Sequence, residues 1–312
     1  MTRLTELRHQ WQAWQKTKAI PRCIPQLPLQ HGWLLNELIG LDDLIWGRWH
    51  YWAITVKKGD LLTAPIPKIQ FTSQLLVRQH LEHCLDCIPN QGTGRWQSWS
   101  STEYIEFFLD WLLFGLGHKG QPRSPIEPCG CQGAGDRLLK TFDLSGLMLF
   151  PQDYWGDLLA DIQWGKANQF YPTHLNLCVF KAETLMAGKT DSRRERAVDP
   201  CCGTGRMIMV LSNYVLTIYG MDISQICAKA TLVNCALFAP WVYRPFQFLD
   251  QPKSTKQLAD EIFAAGQTDP LVATNLEDTE QDEANQWRFE PIMVRHKRGG
   301  TSIIIGEQGC FF

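Results

Sequence analysis

No excess of either charge, no apolar run of membrane length and no internal repeat marks this chain. Lys and Arg number 30 against 32 Asp and Glu, for a net charge of −2. Residues 1–150 carry 15 basic and 13 acidic side chains, and residues 151–312 carry 15 and 19. Neither half is basic enough to mark a nucleic-acid binder by charge alone. The longest apolar run, Tyr104 to Gly117, is interrupted by Glu106 and Asp110 and falls short of a bilayer span, so no membrane partner is expected. The opening residues, MTRLTELRHQWQAWQ, hold no apolar core leading to a small-residue cleavage site. No secretory signal is read there, and the expected location is the cytoplasm. Eleven cysteines, an odd number in a reducing compartment, are expected to be mostly free, buried thiols.

What is present is enough apolar residue for a substantial core: 45% of 312 residues, which fits one large or two ordinary domains. The pattern divides near residue 150. Residues 1–150 read as a mixed, mainly helical N-terminal domain. A helix is expected from Leu4 to Lys18, followed by the proline-punctuated stretch 20–32, which cannot be helical. Residues 46–71, rich in aromatic and β-branched side chains around a Gly-Asp turn, predict short β segments. Helical periodicity returns over 72–88 and 101–116, with Ser100, Ser101 or Thr102 available as a cap. The Gly/Pro-dense loop 117–136 follows, and 151–164 reads as a helix packing onto the second domain.

Residues 151–312 alternate short apolar strands with amphipathic helices, the mark of an α/β sheet protein in doubly wound order. Strands are expected at Arg196–Asp199, Thr217–Asp222, Phe246–Asp250, Pro270–Thr274 and Thr301–Ile305, with a helix at 224–239 after the second. In such a sheet ligands bind beyond the carboxyl ends of the strands, where a glycine turn opens a helix. The stretch VDPCCGTGRM, Val198 to Met207, has that form. Gly203 and Gly205 let backbone approach a ligand with no Cβ in the way, and a helix over Arg206–Tyr214 would aim its first amides at a carboxylate. Asp222 closes the next strand, where a carboxylate can accept from both hydroxyls of a ribose. A nicotinamide dinucleotide would ask for a third glycine, and Ile208 stands there instead. S-adenosylmethionine fits the loop better.

Three matches in the order of the chain make the segment 153–235 resemble the adenine-N6 DNA methylase family, which includes the modification subunits of type I restriction systems. DYWGDLLADIQWGKANQFYPTHL is similar to that family's helix and GQFYTP lead-in, DPCCGTGRM to its DPCCGTGGM, and IYGMDISQICAKATLVNCAL to its second strand and following helix. The resemblance implies a methyltransferase-type fold that binds S-adenosylmethionine and acts on DNA. It implies that Phe170, Tyr171, Pro172 and Thr173 line the methionine side of the pocket, with the family's Thr-Pro order reversed here. Asp199, Gly203, Thr204 and Gly205 would form the loop around the methionyl group. Asp222 and Ile223 would hold ribose and adenine, and Asp250 would meet the adenine amino group. Cys201 and Cys202 read as packing residues of the loop.

The family's catalytic Asn-Pro-Pro-Phe or Tyr holds a flipped adenine by its amine and stacks a ring on the base. Here the alignment puts Asn275 on the Asn position, but Leu276, Glu277 and Asp278 where Pro-Pro-Phe should be. A register using Asp269 to Val272 against an Asp-Pro-Pro-Tyr version also lacks the aromatic. Trp287, Phe289 or Trp241 are candidates for the missing ring. Glu277, Asp278, Glu280, Asp282 and Glu283 would meet DNA phosphates unfavourably. Two readings follow: an active DNA adenine methylase with Asn275 orienting the amine, or a cofactor-holding, DNA-associated or scaffolding subunit without transfer. HKRGGTSIIIGEQGCFF, residues 296–312, resembles the family's Gly-Gly turn into a further strand. The family's target-recognition region has no counterpart. Sequence reading then falls to residues 1–150, through Arg48, Trp49, Lys57, Lys58 and Arg95, or to a partner subunit. His80, His83, Cys84 and Cys87 share one helical face, and Cys129 and Cys131 lie in the Gly/Pro loop. Zinc is one reading of them and core packing the preferred one.

Overall fold

The computed structural model describes residues 2–17, 29–58, 64–89, 101–243, 292–295 and 301–306. Among the described residues, the first 150 contribute seven helices and no strand. These are α1 (Arg3–Thr17), α2 (Leu35–Ile45), α3 (Arg48–Lys58), α4 (Leu75–Asp86), α5 (Ser101–Gly115), α6 (Ala134–Thr141) and α7 (Leu144–Leu149). The β segments expected within 46–71 are therefore corrected at α3. Aromatic β propensity loses to tertiary packing there. Arg48, Tyr51 and Trp52, spaced i, i+3, i+4 on one helical face, all meet Trp241, at 4.4, 5.9 and 6.3 Å. The Asp42 carboxylate accepts from the Trp49 amide at 2.6 Å and ties the end of α2 to the first turn of α3.

The segment read as one helix over 151–164 is two, α8 (Tyr154–Asp161) and α9 (Gln163–Ala167), broken at Ile162. After α10 (Leu175–Met186) comes a βαβ unit: β1 (Arg196–Asp199), α11 (Arg206–Leu211) and β2 (Thr217–Asp222). The helix expected from Arg206 stops at Leu211, short of Tyr214. Then follow α12 (Gln225–Phe238), with Ser224 accepting from the Cys227 amide at 3.4 Å as its N-cap, and α13 (Pro240–Tyr243).

The sheet order is β1-β2-β4-β3, with β3 at Ile292–Arg295 and β4 at Thr301–Gly306. β1 and β2 are parallel, Arg196 opposite Thr217 and Asp199 opposite Gly220. β4 runs antiparallel to β2, Asp222 opposite Ile303, and β3 antiparallel to β4. The link between β3 and β4 is too short for the dozen or so residues of a parallel crossover, which fixes their antiparallel sense. The described chain is thus mainly helical, with one parallel pair in a mixed sheet, and this much of an α/β class is present. The strands expected at Phe246–Asp250 and Pro270–Thr274 lie outside the described residues.

α5 is buried nearly all round, as a helix apolar on every face must be. Two of its three acids, Glu106 and Asp110, one turn apart, reach Lys229 of α12 at 2.7 and 2.8 Å. Trp49 donates its indole N–H to the Ala236 carbonyl at 3.0 Å, also on α12. One hydrophobic cluster runs from Trp11 through α5 and α12 to Tyr243. These contacts hold α12 in place beneath the glycine loop. No helix among the described residues is long and apolar enough to cross a membrane.

Candidate functional site

The turn that leaves β1 begins at Asp199, whose carboxylate accepts from the Cys201 amide at 3.3 Å. Gly203 has φ +55 and Gly205 φ +83, left-handed values that a side chain resists. A Cβ at Gly205 would come within 2.7 Å of Thr231 on α12, and one at Gly203 within 3.3 Å of the Phe170 ring. The loop is therefore pressed between α12 behind it and the 170–174 segment in front. Thr231 donates its hydroxyl to the Gly203 carbonyl at 2.8 Å. Asp222, at the end of β2, accepts from the Gly203 amide at 2.9 Å and from the Ser224 amide at 2.8 Å. Burial raises the carboxyls of Asp199 and Asp222 above the ordinary range. The backbone hydrogen bonds to each pull the other way, and for Asp199 the neighbouring Asp222 charge adds to the rise.

Beneath the loop lies a buried polar cluster that local patterns in the chain do not announce. Asp153, fully buried, caps α8 by accepting from the Gly156 amide at 3.0 Å. It also accepts from the Thr204 hydroxyl at 2.5 Å, the Asn234 amide group at 2.9 Å and the Arg206 Nε at 3.2 Å. Arg206 donates further to Asp157 at 2.7 Å and to the Thr173 carbonyl at 3.0 Å. Asn234 donates to the Thr204 carbonyl at 2.8 Å. One carboxylate thus ties α8, the glycine loop and α12 together, and Arg206 adds the lead-in segment through the Thr173 carbonyl. Burial pushes the Asp153 carboxyl up, against the pull of Arg206 and its three other donors. The only hints in the sequence were an acid at a helix start and an Asn within α12.

The lead-in reaches the loop through a sharp turn. Gln169 adopts φ +52, and the Phe170 amide returns to the Gly165 carbonyl at 2.8 Å, closing α9 with a left-handed residue that is not glycine. Residues 170–174, in neither helix nor strand, then pass in front of the loop. Phe170 packs against Trp164, centroids 5.7 Å apart. Tyr171 is 80% exposed.

Between these parts lies an open cavity of about 860 Å³, lined by β1 from Arg196 to Asp199, by Asp222 at the end of β2 and by Lys181 and Met186 of α10. Phe170, Tyr171, Pro172, Thr173, Asp199, Gly203, Thr204, Asp222 and Ile223 all line it. Gly205 does not; it is buried against Thr231 and shapes the loop from behind. Thr204 turns its hydroxyl away, into the Asp153 cluster. Asp250 and Asn275 lie outside the described residues, as do Leu276 to Asp278, the acids that follow, Trp287 and Phe289.

Several expectations need correction. Arg48 and Trp49 are buried and offer no surface to nucleic acid. Arg48 instead donates to the Ser212 carbonyl and lies over Trp241. Trp241 is 1% exposed within that core and does not line the cavity, so it is not the missing ring. Cys202 is buried under the loop, as expected, but Cys201 is exposed, and both line the cavity. Cys84 is buried, with its sulfur 3.7 Å from His80 Nε2, and that nitrogen accepts from the Asp143 amide at 2.9 Å. Cys87 approaches the Thr141 hydroxyl at 3.6 Å. Among the described residues no group of three or more His, Cys, Asp or Glu is placed to hold a metal ion.

Aromatic, acidic and basic side chains share the lining of the cavity. The volume falls within the roughly 300–1,000 Å³ of small-molecule sites. Gly203 lines the space with its amide held by Asp222 and its carbonyl by Thr231, and two carboxylates face it from the ends of adjacent parallel strands. No protein-family model, curated protein or solved structure matches this chain.

Proposed function

We propose that this chain binds S-adenosylmethionine in the cavity at β1 and β2 and is a DNA methylase of the adenine-N6 type, built on a doubly wound methyltransferase sheet. The reading is carried by one juxtaposition. The Asp222 carboxylate closes on the Gly203 amide beside a cavity that the Phe170–Thr173 segment also lines. Those are the three stretches whose order along the chain resembles that family.

When bound, the cofactor supplies a sulfonium methyl group. That methyl would pass to adenine N6, the S–CH3 bond breaking as the N–CH3 bond forms and the N6 proton passing to water. The chain's own part is to hold and orient. Asp222 accepts from the ribose hydroxyls while keeping its two backbone bonds, since each carboxylate oxygen has a second lone pair. Gly203 and Asp199 would bound the methionyl end, and Asn275, by the resemblance, would hold the adenine amine.

The test is calorimetric titration of S-adenosylmethionine into wild type and Asp222→Ala, followed by methyl transfer to unmodified DNA by wild type and Asn275→Ala. Heat with wild type, weakened at least tenfold by the first substitution, supports the site; no heat, or equal affinity, removes it. A second reading, a cofactor-holding subunit without transfer that works beside a DNA-reading partner, is favoured by Leu276, Glu277 and Asp278 standing where the family carries Pro-Pro-aromatic. It is the outcome if cofactor heat is present and no label reaches DNA.

A further inference from the structure

We propose that Lys181 and Asp199 form a clamp for the zwitterionic head of an α-amino acid, Lys181 taking the carboxylate and Asp199 the ammonium. The inference rests on the cofactor reading, in which that head is the methionyl end of S-adenosylmethionine. It adds the cation that the reading leaves unnamed, and with it the means of selecting ligands that carry an amino-acid tail.

A methionyl tail brings a carboxylate into a cavity whose strand ends present two acids, Asp199 and Asp222. Without a cation beside it, that carboxylate would be repelled. Among the described residues, the basic side chains that line the cavity are Lys181, Lys189, Arg196 and Arg206. Arg206 is taken up by Asp153 and by Asp157 at 2.7 Å, and Lys189 by Glu195 at 3.1 Å. Arg196 opens β1 and Asp199 closes it, which sets their backbones about 10 Å apart along the strand. Lys181 is the cation left, with no ion pair to any described residue.

Cys178, Lys181 and Leu185, spaced i, i+3, i+7 along one face of α10, all line the cavity. Buried Cys178 and Ala182 seat the helix, so the lysine stem rises from a fixed base while the side chain stays exposed. Asp199 gives Oδ1 to the Cys201 amide and keeps Oδ2 for another donor. Burial raises its carboxyl, and the Lys181 charge is among the causes that pull the other way, so the two side chains lie within electrostatic reach. They are not joined as an ion pair. Opposite charges held near each other without touching leave room for a ligand that pairs both, and an α-amino acid carries both on one carbon.

The experiment is calorimetric titration of S-adenosylhomocysteine, decarboxylated S-adenosylhomocysteine and L-methionine into wild type, Lys181→Met and Lys181→Arg, at low and high salt. Because Lys181 is exposed, its replacement should move the thermal midpoint little. Wild type should bind S-adenosylhomocysteine roughly tenfold more tightly than the decarboxylated ligand, a preference that shrinks in high salt. Lys181→Met should erase the preference, with S-adenosylhomocysteine weakened roughly tenfold and the decarboxylated ligand not weakened. Lys181→Arg should keep it. A lysine that merely supported the fold would weaken both ligands alike.

Equal loss of both ligands in Lys181→Met, or unchanged affinity for S-adenosylhomocysteine, overturns the clamp while the cofactor reading stands. If S-adenosylhomocysteine gives no heat with wild type but L-methionine does, and Lys181→Met abolishes that heat, the cofactor reading fails and the clamp serves a free α-amino acid. Heat from neither ligand overturns both.

Discussion

Replacing Asp153 with alanine should loosen the glycine loop and lower the stability of the whole chain. The carboxylate is fully buried and accepts from Gly156, Thr204, Arg206 and Asn234 at 3.0, 2.5, 3.2 and 2.9 Å. Removing one partner of a buried ion pair costs about 3–5 kcal/mol. Arg206 would keep Asp157 at 2.7 Å and the Thr173 and Asp153 carbonyls, so its charge is not left bare and the lower end of that range applies. The neutral donors left behind each cost about 1–3 kcal/mol if nothing replaces the carboxylate, but members of one network do not add.

The expected total for Asp153→Ala is about 3–4 kcal/mol, which for a chain of this size lowers the thermal midpoint by roughly 5–6 °C. Asp153→Asn keeps the shape and one acceptor and should lose about half as much. Urea unfolding measures the difference, and amide hydrogen exchange locates it, with Gly203 to Met207 exchanging faster than α5. A loss below about 1 kcal/mol in Asp153→Ala would falsify the claim that this carboxylate organises the loop.

The remaining predictions concern other parts of the fold. Gly205→Ala forces a left-handed φ and a contact near 2.7 Å onto Thr231; it should cost about 2 kcal/mol or more by urea unfolding and weaken S-adenosylhomocysteine binding by calorimetry, and an unchanged protein would mean the loop is not wedged against α12. His118 is buried, accepts from the Gly120 amide at 3.2 Å, and burial lowers its pKa from the ordinary 6.5 to about 4. The imidazole is neutral in both states above pH 6.5. As pH falls toward 4 only the unfolded chain takes up the proton, so up to about 3 kcal/mol of stability is lost across that window. His118→Gln should flatten that stretch of a urea-midpoint profile, and an unchanged slope would contradict the assignment. Lys229→Met leaves Glu106 and Asp110 facing each other on α5 without their cation; a loss of about 1–2 kcal/mol is expected, smaller in high salt, and no salt dependence would count against the bridge.

How much of this was legible beforehand varies with the range of the interaction. β1 and β2 lie where short apolar runs end in turn residues, because strand alternation and glycine φ preferences act over a few residues. The Ser224 cap and the glycine turn are equally local, and both stand where the chain places them. α1 runs within one residue of its expected span. Most of the residues expected to share a pocket do share one, since the order of lead-in, loop and acid already placed them at the ends of two neighbouring strands.

What the tertiary structure decided is which polar groups lie inside. Asp153 reads locally as no more than an acid at a helix start, yet its partners Thr204, Arg206 and Asn234 lie 51, 53 and 81 residues away. Arg48 reads as a surface cation in an aromatic stretch, and packing of α3 on α13 buries it over Trp241. Of the adjacent residues Phe170 and Tyr171, one is turned onto Gly203 and the other toward water, a choice set by the left-handed turn at Gln169 and by what α9 presents to the loop. Local preferences choose dihedral angles and so are written in neighbouring residues. The pairing of buried charges is chosen by the desolvation each would suffer alone, and that depends on surfaces which meet only once the chain has folded.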